Sequence, residues 1–125
     1  MELFVCAQDI QSITFGLVRD QEVLFEKTYD ASPERYLFSL EQFFSEQKMS
    51  PADVSRILIV TGPGSFTASR VSVTMVNTFA FVHSVPVVSF ENAERLSLAE
   101  LLAQKKAQGE SVFAVPTYDR PPNIT

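Results

Sequence analysis

The segment at residues 61–65, Thr-Gly-Pro-Gly-Ser, has residue types that could bind a ligand. Its two glycines permit backbone angles that other residues avoid, and Ser65 can cap a helix that begins at Phe66. The amides at such a helix N-terminus can bind an anion. A Walker-type phosphate loop, however, needs a lysine and the spacing G-x-x-x-x-G-K-[ST], which are absent, and Pro63 lacks an amide hydrogen. The segment is either a weak anion site or a structural turn, and we favour the turn.

Other residues that could do chemistry are few. A metallopeptidase site needs two histidines one helical turn apart, whereas His83 is the single histidine and lies where a helix C-terminal dipole would favour it. Four aspartates fall near predicted element ends in polar company, as solvated turn residues do. They are Asp9, Asp20, Asp30 and Asp53. The sequence therefore predicts no catalytic residue and no metal site.

Bulk composition limits the class of protein. With 125 residues, 46% of them hydrophobic, the chain suffices for one globular domain. A net charge of −5 argues against a protein that holds nucleic acid unaided, because such affinity depends on Lys and Arg. Cys6 is the single cysteine and lies in an apolar run, so we expect it in the core. We also expect a cytoplasmic protein, since neither a signal-peptide pattern nor a membrane-length apolar run is present.

The elements that must position these residues follow from the apolar periodicity. Three β-rich runs, at 3–7, 12–18 and 22–29, predict an antiparallel meander. Ser32 as N-cap and Pro33 in the first turn predict the first helix. Its large side chains fall on one stripe: Tyr36, Leu37, Leu40, Phe43 and Phe44.

The second half of the chain alternates predicted strands and helices. A capping-box spacing from Ser50 to Asp53 precedes a buried strand at 57–60, and a long helix is expected over Phe66–His83. A short strand at 86–90 and a third helix at 92–108 complete the order βββαβαβα. The apolar stripe of that third helix is expected to be Leu96, Ala99, Leu102 and Ala103. A strand at 112–115 and a proline-rich tail follow.

The long helix is apolar on more than one side. One row consists mostly of small side chains: Ser65, Ser69, Ser72, Val76 and Ala80. The neighbouring row is larger and apolar: Val71, Met75, Phe79 and Val82. One row can cover the sheet, and the other is expected to meet another helix. In a domain with three helices this pattern indicates a partner chain, unless the first and third helices cover the helix entirely.

The motif at 62–67, Gly-Pro-Gly-Ser-Phe-Thr, followed by Arg70, resembles the GPGSFTGLRIG signature of the TsaB (YeaZ) family. The motif residues are Gly62, Pro63, Gly64, Ser65, Phe66, Thr67 and Arg70. The sequence departs from the family where Ala68, Ser69 and Ser72 replace Gly, Leu and Gly. It departs again at the end of the first strand, where Ala7, Gln8 and Asp9 replace Asp, Thr and Ser. The resemblance implies a divergent member. Arg70 either has a structural role, anchoring the turn or a neighbouring carboxylate, which we favour, or it contacts a substrate.

The resemblance also implies a fold and a function. The order βββαβαβα is that of a ribonuclease-H-like, actin-like ATPase domain, an α/β fold with a mixed five-stranded sheet. We expect this domain at 1–109, a short C-terminal strand and tail at 110–125, and no second family domain. The implied function is a non-catalytic subunit that binds a TsaD-like catalytic protein and supports threonylcarbamoyladenosine (t6A) formation on transfer RNA.

The expected partners and cofactors follow from that role. The chain would form a homodimer when alone, contact transfer RNA only indirectly, and hold no cofactor of its own, with ATP and magnesium bound only in the complex. Alternatives are a nucleotide-binding half-site around Asp9 and the glycine turn, or a homodimer with an altered role. The expected partner interface comprises Tyr36, Leu40, Phe43, Ala68, Ser69, Ser72, Met75, Val76, Phe79 and Ala80.

Overall fold

The computed structural model describes residues 1–104 and 107–117, which form a six-stranded sheet and three α-helices. The strands are β1 (Glu2–Cys6), β2 (Ser12–Arg19), β3 (Glu22–Asp30), β4 (Arg56–Gly62), β5 (Val87–Glu91) and β6 (Ala107–Ser111). The helices are α1 (Tyr36–Glu46), α2 (Phe66–His83) and α3 (Leu98–Gln104). Among these residues no helix is both long and apolar enough to cross a membrane.

The sheet has the order β3-β2-β1-β4-β5-β6. The meander pairs antiparallel as predicted, β1, β4 and β5 pair parallel, and β6 returns antiparallel along β5. The carboxyl ends of the three parallel strands therefore lie at one edge of the sheet, and the glycine turn after β4 lies there too. A mixed sheet was predicted, but with five strands rather than six.

Side chains of the central strands alternate between two apolar layers. In β4, Ile57 and Ile59 join the layer beneath α1 and α2, whereas Leu58 and Val60 join the layer beneath α3. Both layers are almost fully buried. This explains why β4 reads as a continuous apolar run, since it lies in the middle of a sheet covered on both faces.

The first helix begins differently from the prediction. Pro33–Arg35 forms a 3₁₀ turn before α1, and Ser32 makes no capping bond to the backbone. Its hydroxyl instead donates to the Glu34 carboxylate at 2.6 Å. The predicted stripe is otherwise buried in the first apolar layer, except for Leu37, which is exposed.

The third helix is shorter than predicted, and the expectation that it begins at Asn92 was wrong. The Asn92 side chain accepts the Leu96 amide at 2.8 Å and donates to the Leu96 carbonyl at 2.9 Å, which closes a turn. Arg95 has a positive φ of 55° that a helix excludes. Helix α3 then begins after Ser97 and buries Leu98 and Leu101. Of the predicted stripe, Leu96 and Leu102 are partly buried against the same layer, whereas Ala99 and Ala103 are exposed.

The last strand also lies elsewhere. The prediction placed a strand at 112–115, whereas β6 spans Ala107–Ser111, where the third helix was expected to end. The apolar side chains of Val112, Phe113 and Val115 are exposed instead. The expected domain boundary at residue 109 falls inside β6, and Ala114 is buried in the first apolar layer. The remainder of the expected C-terminal segment, residues 118–125, lies outside the described residues.

Candidate functional site

The glycine turn between β4 and α2 packs against Gln8, which follows the end of β1. Gln8 Nε2 donates to the carbonyl oxygens of Pro63 and Asn92, each at 2.7 Å, and the Gln8 carbonyl accepts the Ser65 amide at 2.7 Å. A Cβ atom added to Gly64 would lie 2.5 Å from that carbonyl oxygen. These residues fill the space at the carboxyl ends of the parallel strands, where such folds bind ligands.

The C-terminal segment covers the other side of the turn. The Thr117 amide donates to the Thr61 carbonyl at 2.7 Å, and the two threonine hydroxyls lie 3.1 Å apart. Gly62 has a φ of +128°, and a Cβ there would collide with the Thr117 carbonyl oxygen. Ser65 Oγ accepts the Ala68 amide at 3.3 Å and so caps α2, as predicted. Packing on both sides of the turn supports the structural interpretation.

The four aspartates do not come together. Asp9 forms an exposed ion pair with Arg95 at 2.7 Å, and Asp53 accepts the Ser50 amide at 2.8 Å in the predicted capping box. The other two are exposed at the β2–β3 turn and at the end of β3: Asp20 and Asp30. In the described part of the chain, no three or more His, Cys, Asp or Glu side chains are grouped to hold a metal ion.

Cys6 and His83 are likewise separated from one another and from any cluster. Cys6 is partly buried, and burial raises the pKa of its thiol to about 12, so the thiol stays protonated and unreactive at neutral pH. His83 is the exposed last residue of α2, and its ring centroid lies 4.5 Å from that of Phe79. Neither position resembles a catalytic arrangement.

The row of small side chains on α2 faces the chain's own sheet. Ala68, Ser69 and Ser72 are fully buried, and small residues at these positions let the helix approach the strands closely. This corrects the expected interface, because eight of its ten residues are buried in the chain's own core and are not accessible to a partner. The eight are Tyr36, Leu40, Phe43, Ala68, Ser69, Ser72, Val76 and Ala80. Met75 and Phe79 are only partly buried.

A groove of about 770 Å³ lies between α1 and α2, on the side of α2 that faces away from the sheet. The partly buried residues Val71, Met75 and Phe79 line it, together with more exposed apolar side chains. Leu37 of α1 is 59% exposed, and Val82 of α2 is 63% exposed. An apolar surface of this kind, with large side chains in water, is typical of a macromolecular contact. The predicted apolar row of α2 therefore does form an uncovered face.

Two threonine hydroxyls in the groove are already hydrogen-bonded within α2 and so have little capacity left for a ligand. Thr74 Oγ1 donates to the Arg70 carbonyl at 2.8 Å, and Thr78 Oγ1 donates to the Thr74 carbonyl at 2.9 Å. Each hydroxyl is thus satisfied by its own helix, as is common for mid-helix threonines. Sequence reasoning missed these threonines, although their four-residue spacing from Arg70 places all three on one face of the helix. A small-molecule site would need convergent polar groups, which these hydroxyls do not supply.

The groove also carries three ionisable side chains: Glu34, Arg70 and His83. The Ser32 hydroxyl donates to the exposed Glu34 carboxylate and lowers its pKa. Within residues 1–104 and 107–117 the Arg70 side chain makes no hydrogen bond or ion pair, and the bonds to the glycine turn come from Gln8 and Thr117. The groove is therefore mainly apolar and carries a few ionisable side chains, a composition that is common at protein interfaces.

Comparison with known proteins gives the family. The family described as "TsaD: tRNA N6-adenosine threonylcarbamoyltransferase" matches residues 23–114. The tRNA threonylcarbamoyladenosine biosynthesis protein TsaB of Bacillus subtilis (strain 168) is 30% identical over 98 residues, which are 74% of this chain and 43% of the relative. The chain thus spans less than half the length of that relative.

Solved structures agree on the fold. YeaZ from Pseudomonas aeruginosa superposes with a TM-score of 0.62 at 19% identity, over 72% of this chain and 43% of YeaZ. T. thermophilus RuvC in complex with Holliday junction substrate superposes with a TM-score of 0.50 at 12% identity, over 96% of this chain and 82% of RuvC. At these identities the likeness shows the fold alone, and it confirms the predicted ribonuclease-H-like, actin-like architecture. The family match covers residues 23–114, and the match to TsaB covers about three quarters of this chain. The chain therefore belongs to the TsaB (YeaZ) family.

Proposed function

We propose that this chain is a partner subunit without an active site of its own, which binds a TsaD-like catalytic protein and supports t6A formation on transfer RNA. The relatives' names give the pathway, since both the matching family and the curated relative are named for threonylcarbamoyl transfer to transfer RNA. The observation that carries the subunit role is the apolar groove between α1 and α2. The exposed apolar side chains of this groove support a contact with another protein. The glycine turn, by contrast, already has Gln8 and Thr117 packed against it.

The exposed and partly buried apolar side chains of the groove define the proposed contact surface. Leu37 and Val82 flank the partly buried Met75 and Phe79, so a partner helix laid in the groove would bury all four. Burying large apolar side chains at the centre of an interface supplies most of its affinity. In the absence of the TsaD-like protein, a second copy of the chain would cover the same groove and form the homodimer.

The remaining features agree with an indirect role towards nucleic acid. A net charge of −5 disfavours direct binding of transfer RNA, so the catalytic partner would hold it. Any ATP and magnesium would likewise bind in the complex rather than to this chain alone. A cytoplasmic location is part of this proposal, because the curated relative is named for a modification of transfer RNA.

A reconstituted reaction tests the proposal. Transfer RNA, the TsaD-like protein of the same organism and its small-molecule substrates would be incubated with and without this chain, and t6A would be measured by mass spectrometry of the digested RNA. We expect t6A to require the chain and to fall strongly with a Val82→Asp variant. Equal t6A with and without the chain would refute the proposed role.

A further inference from the structure

Arg70 belongs to the family motif, but its side chain makes no hydrogen bond to the glycine turn within the described residues. It is exposed on α2 and lines the groove near the N-terminal end of the helix. Its guanidinium group makes no hydrogen bond or ion pair with any residue in 1–104 or 107–117, although it carries five N–H donors. The side chain is therefore exposed with its donors unused within the described ranges, in a groove that the apolar Val71 and Met75 also line.

The other ionisable groups of the groove are already engaged. Glu34 accepts from the Ser32 hydroxyl at 2.6 Å, and the His83 ring packs on that of Phe79. Arg70 is thus the groove cation whose charge is unpaired within the described ranges. A partner that covers the groove removes water from this guanidinium group, which is unfavourable unless the partner supplies an acceptor of opposite charge.

We propose that Arg70 is a specificity residue, which pairs with a carboxylate on the partner helix that lies along α2. This proposal rests on the proposed function. The groove extends from Phe66 to His83, about 26 Å along the helix, which matches an amphipathic helix of about five turns. The occupant is therefore a helix of the TsaD-like protein with an apolar stripe over Met75 and Phe79 and an Asp or Glu opposite Arg70.

Charge complementarity supports this choice. The chain carries a net charge of −5, so its surface as a whole repels acidic segments, and an unpaired arginine in an apolar groove is a local exception. A guanidinium group binds a carboxylate through two parallel hydrogen bonds, which fixes orientation as well as adding affinity. The pair would set the register of the partner helix and reject a helix that lacks the carboxylate.

Affinity for the TsaD-like protein at low and high ionic strength tests the proposal. Arg70→Glu is expected to weaken binding roughly 10- to 100-fold at low ionic strength. Arg70→Lys keeps the charge but loses the planar fork, so a smaller loss is expected. Lys48→Glu makes the same change in charge at an exposed site outside the groove and serves as the matched control, with affinity close to that of the wild type.

The outcomes separate this inference from the proposed function. If Arg70→Glu binds like Lys48→Glu while Val82→Asp weakens binding, Arg70 has no role in recognition and the groove still binds the partner. If the wild type does not bind, both proposals fail. If the wild type binds but Val82→Asp has no effect, the groove is not the contact, so this inference fails while the subunit role stands. Unchanged thermal unfolding of Arg70→Glu would show that a measured loss reflects recognition rather than folding.

Discussion

Asn77 pairs with the backbone of Ala114 through both ends of its side-chain amide. Nδ2 donates to the Ala114 carbonyl at 2.9 Å, and the Ala114 amide donates to Oδ1 at 2.7 Å. Together with the bond from the Thr117 amide to the Thr61 carbonyl, this pairing holds the segment after β6 against α2 and the glycine turn. The segment is thereby part of the domain rather than a tail.

The Asn77 pairing can be broken without touching the groove. Asn77→Leu leaves the Ala114 amide and carbonyl without partners, which is expected to cost about 1 kcal/mol because the pair is only partly buried. We expect faster hydrogen exchange at the Ala114 amide and a lower midpoint of urea unfolding. Thr74→Ala is the control, since its hydroxyl bonds only to its own helix. Unchanged exchange at Ala114 in Asn77→Leu would show that the pairing does not hold the segment.

The contact of Gly64 with Gln8 leaves no room for a side chain. Gly64→Ala would place a methyl group 2.5 Å from the Gln8 carbonyl oxygen, and the required shift is expected to reduce stability by about 1–3 kcal/mol. Gly109→Ala is the matched control, because no atom lies within 4 Å of a Cβ at that position. Urea unfolding of both variants measures the difference. Equal stability would mean that the turn is not packed against Gln8.

Ser69 and Ser72 are both buried, but their hydroxyls differ. Ser72 Oγ donates to the Ser69 carbonyl at 3.2 Å, whereas Ser69 Oγ is fully buried without a hydrogen-bond partner among the residues described. Removal of the unpartnered hydroxyl in Ser69→Ala is therefore expected to leave stability unchanged or raise it, and Ser72→Ala to lower it slightly. Calorimetric unfolding compares the two. A large loss in Ser69→Ala would reveal a partner for this hydroxyl.

Glu46 makes stability depend on pH in the acid range. Hydrogen bonds from Tyr29 at 2.5 Å and from Lys27 at 2.9 Å lower the pKa of its carboxyl group. Because the pKa is lower in the folded chain, the contribution is present above the unfolded pKa near 4.3 and is lost as pH falls through the folded pKa. The thermal midpoint of Glu46→Gln is expected to fall less between pH 6 and 3. Parallel curves for wild type and variant would contradict this.

The sequence predicted the elements wherever local signals and packing agree. Helix α2 was predicted with the bounds that the structure has, because Ser65 caps it and no Gly or Pro interrupts it. The third helix was misplaced because Asn92 was taken as its start, although Ser97 and Glu100 carry a capping-box spacing. That spacing could have located α3. The position of β6 depends on pairing with β5, which residue composition does not encode.

The candidate site was predicted in part. Apolar periodicity correctly indicated an uncovered row on α2, but it could not say which of two rows faces the sheet. The small row lies there because Ala68, Ser69 and Ser72 permit close approach, which only the packed structure shows. The row that stays uncovered is the one with Met75 and Phe79, and this is the row that the proposed function assigns to a partner.

The mass of the complex with a TsaD-like protein, measured by light scattering on a sizing column, tests the central claim most directly. Wild type is expected to form a complex of defined mass, while Leu37→Asp and Val82→Asp, both exposed groove positions, are expected to elute apart from the partner. Phe81→Asp is the matched control, since Phe81 is 86% exposed on the same helix but outside the groove. A complex that survives both groove substitutions, or that Phe81→Asp abolishes instead, would contradict the account.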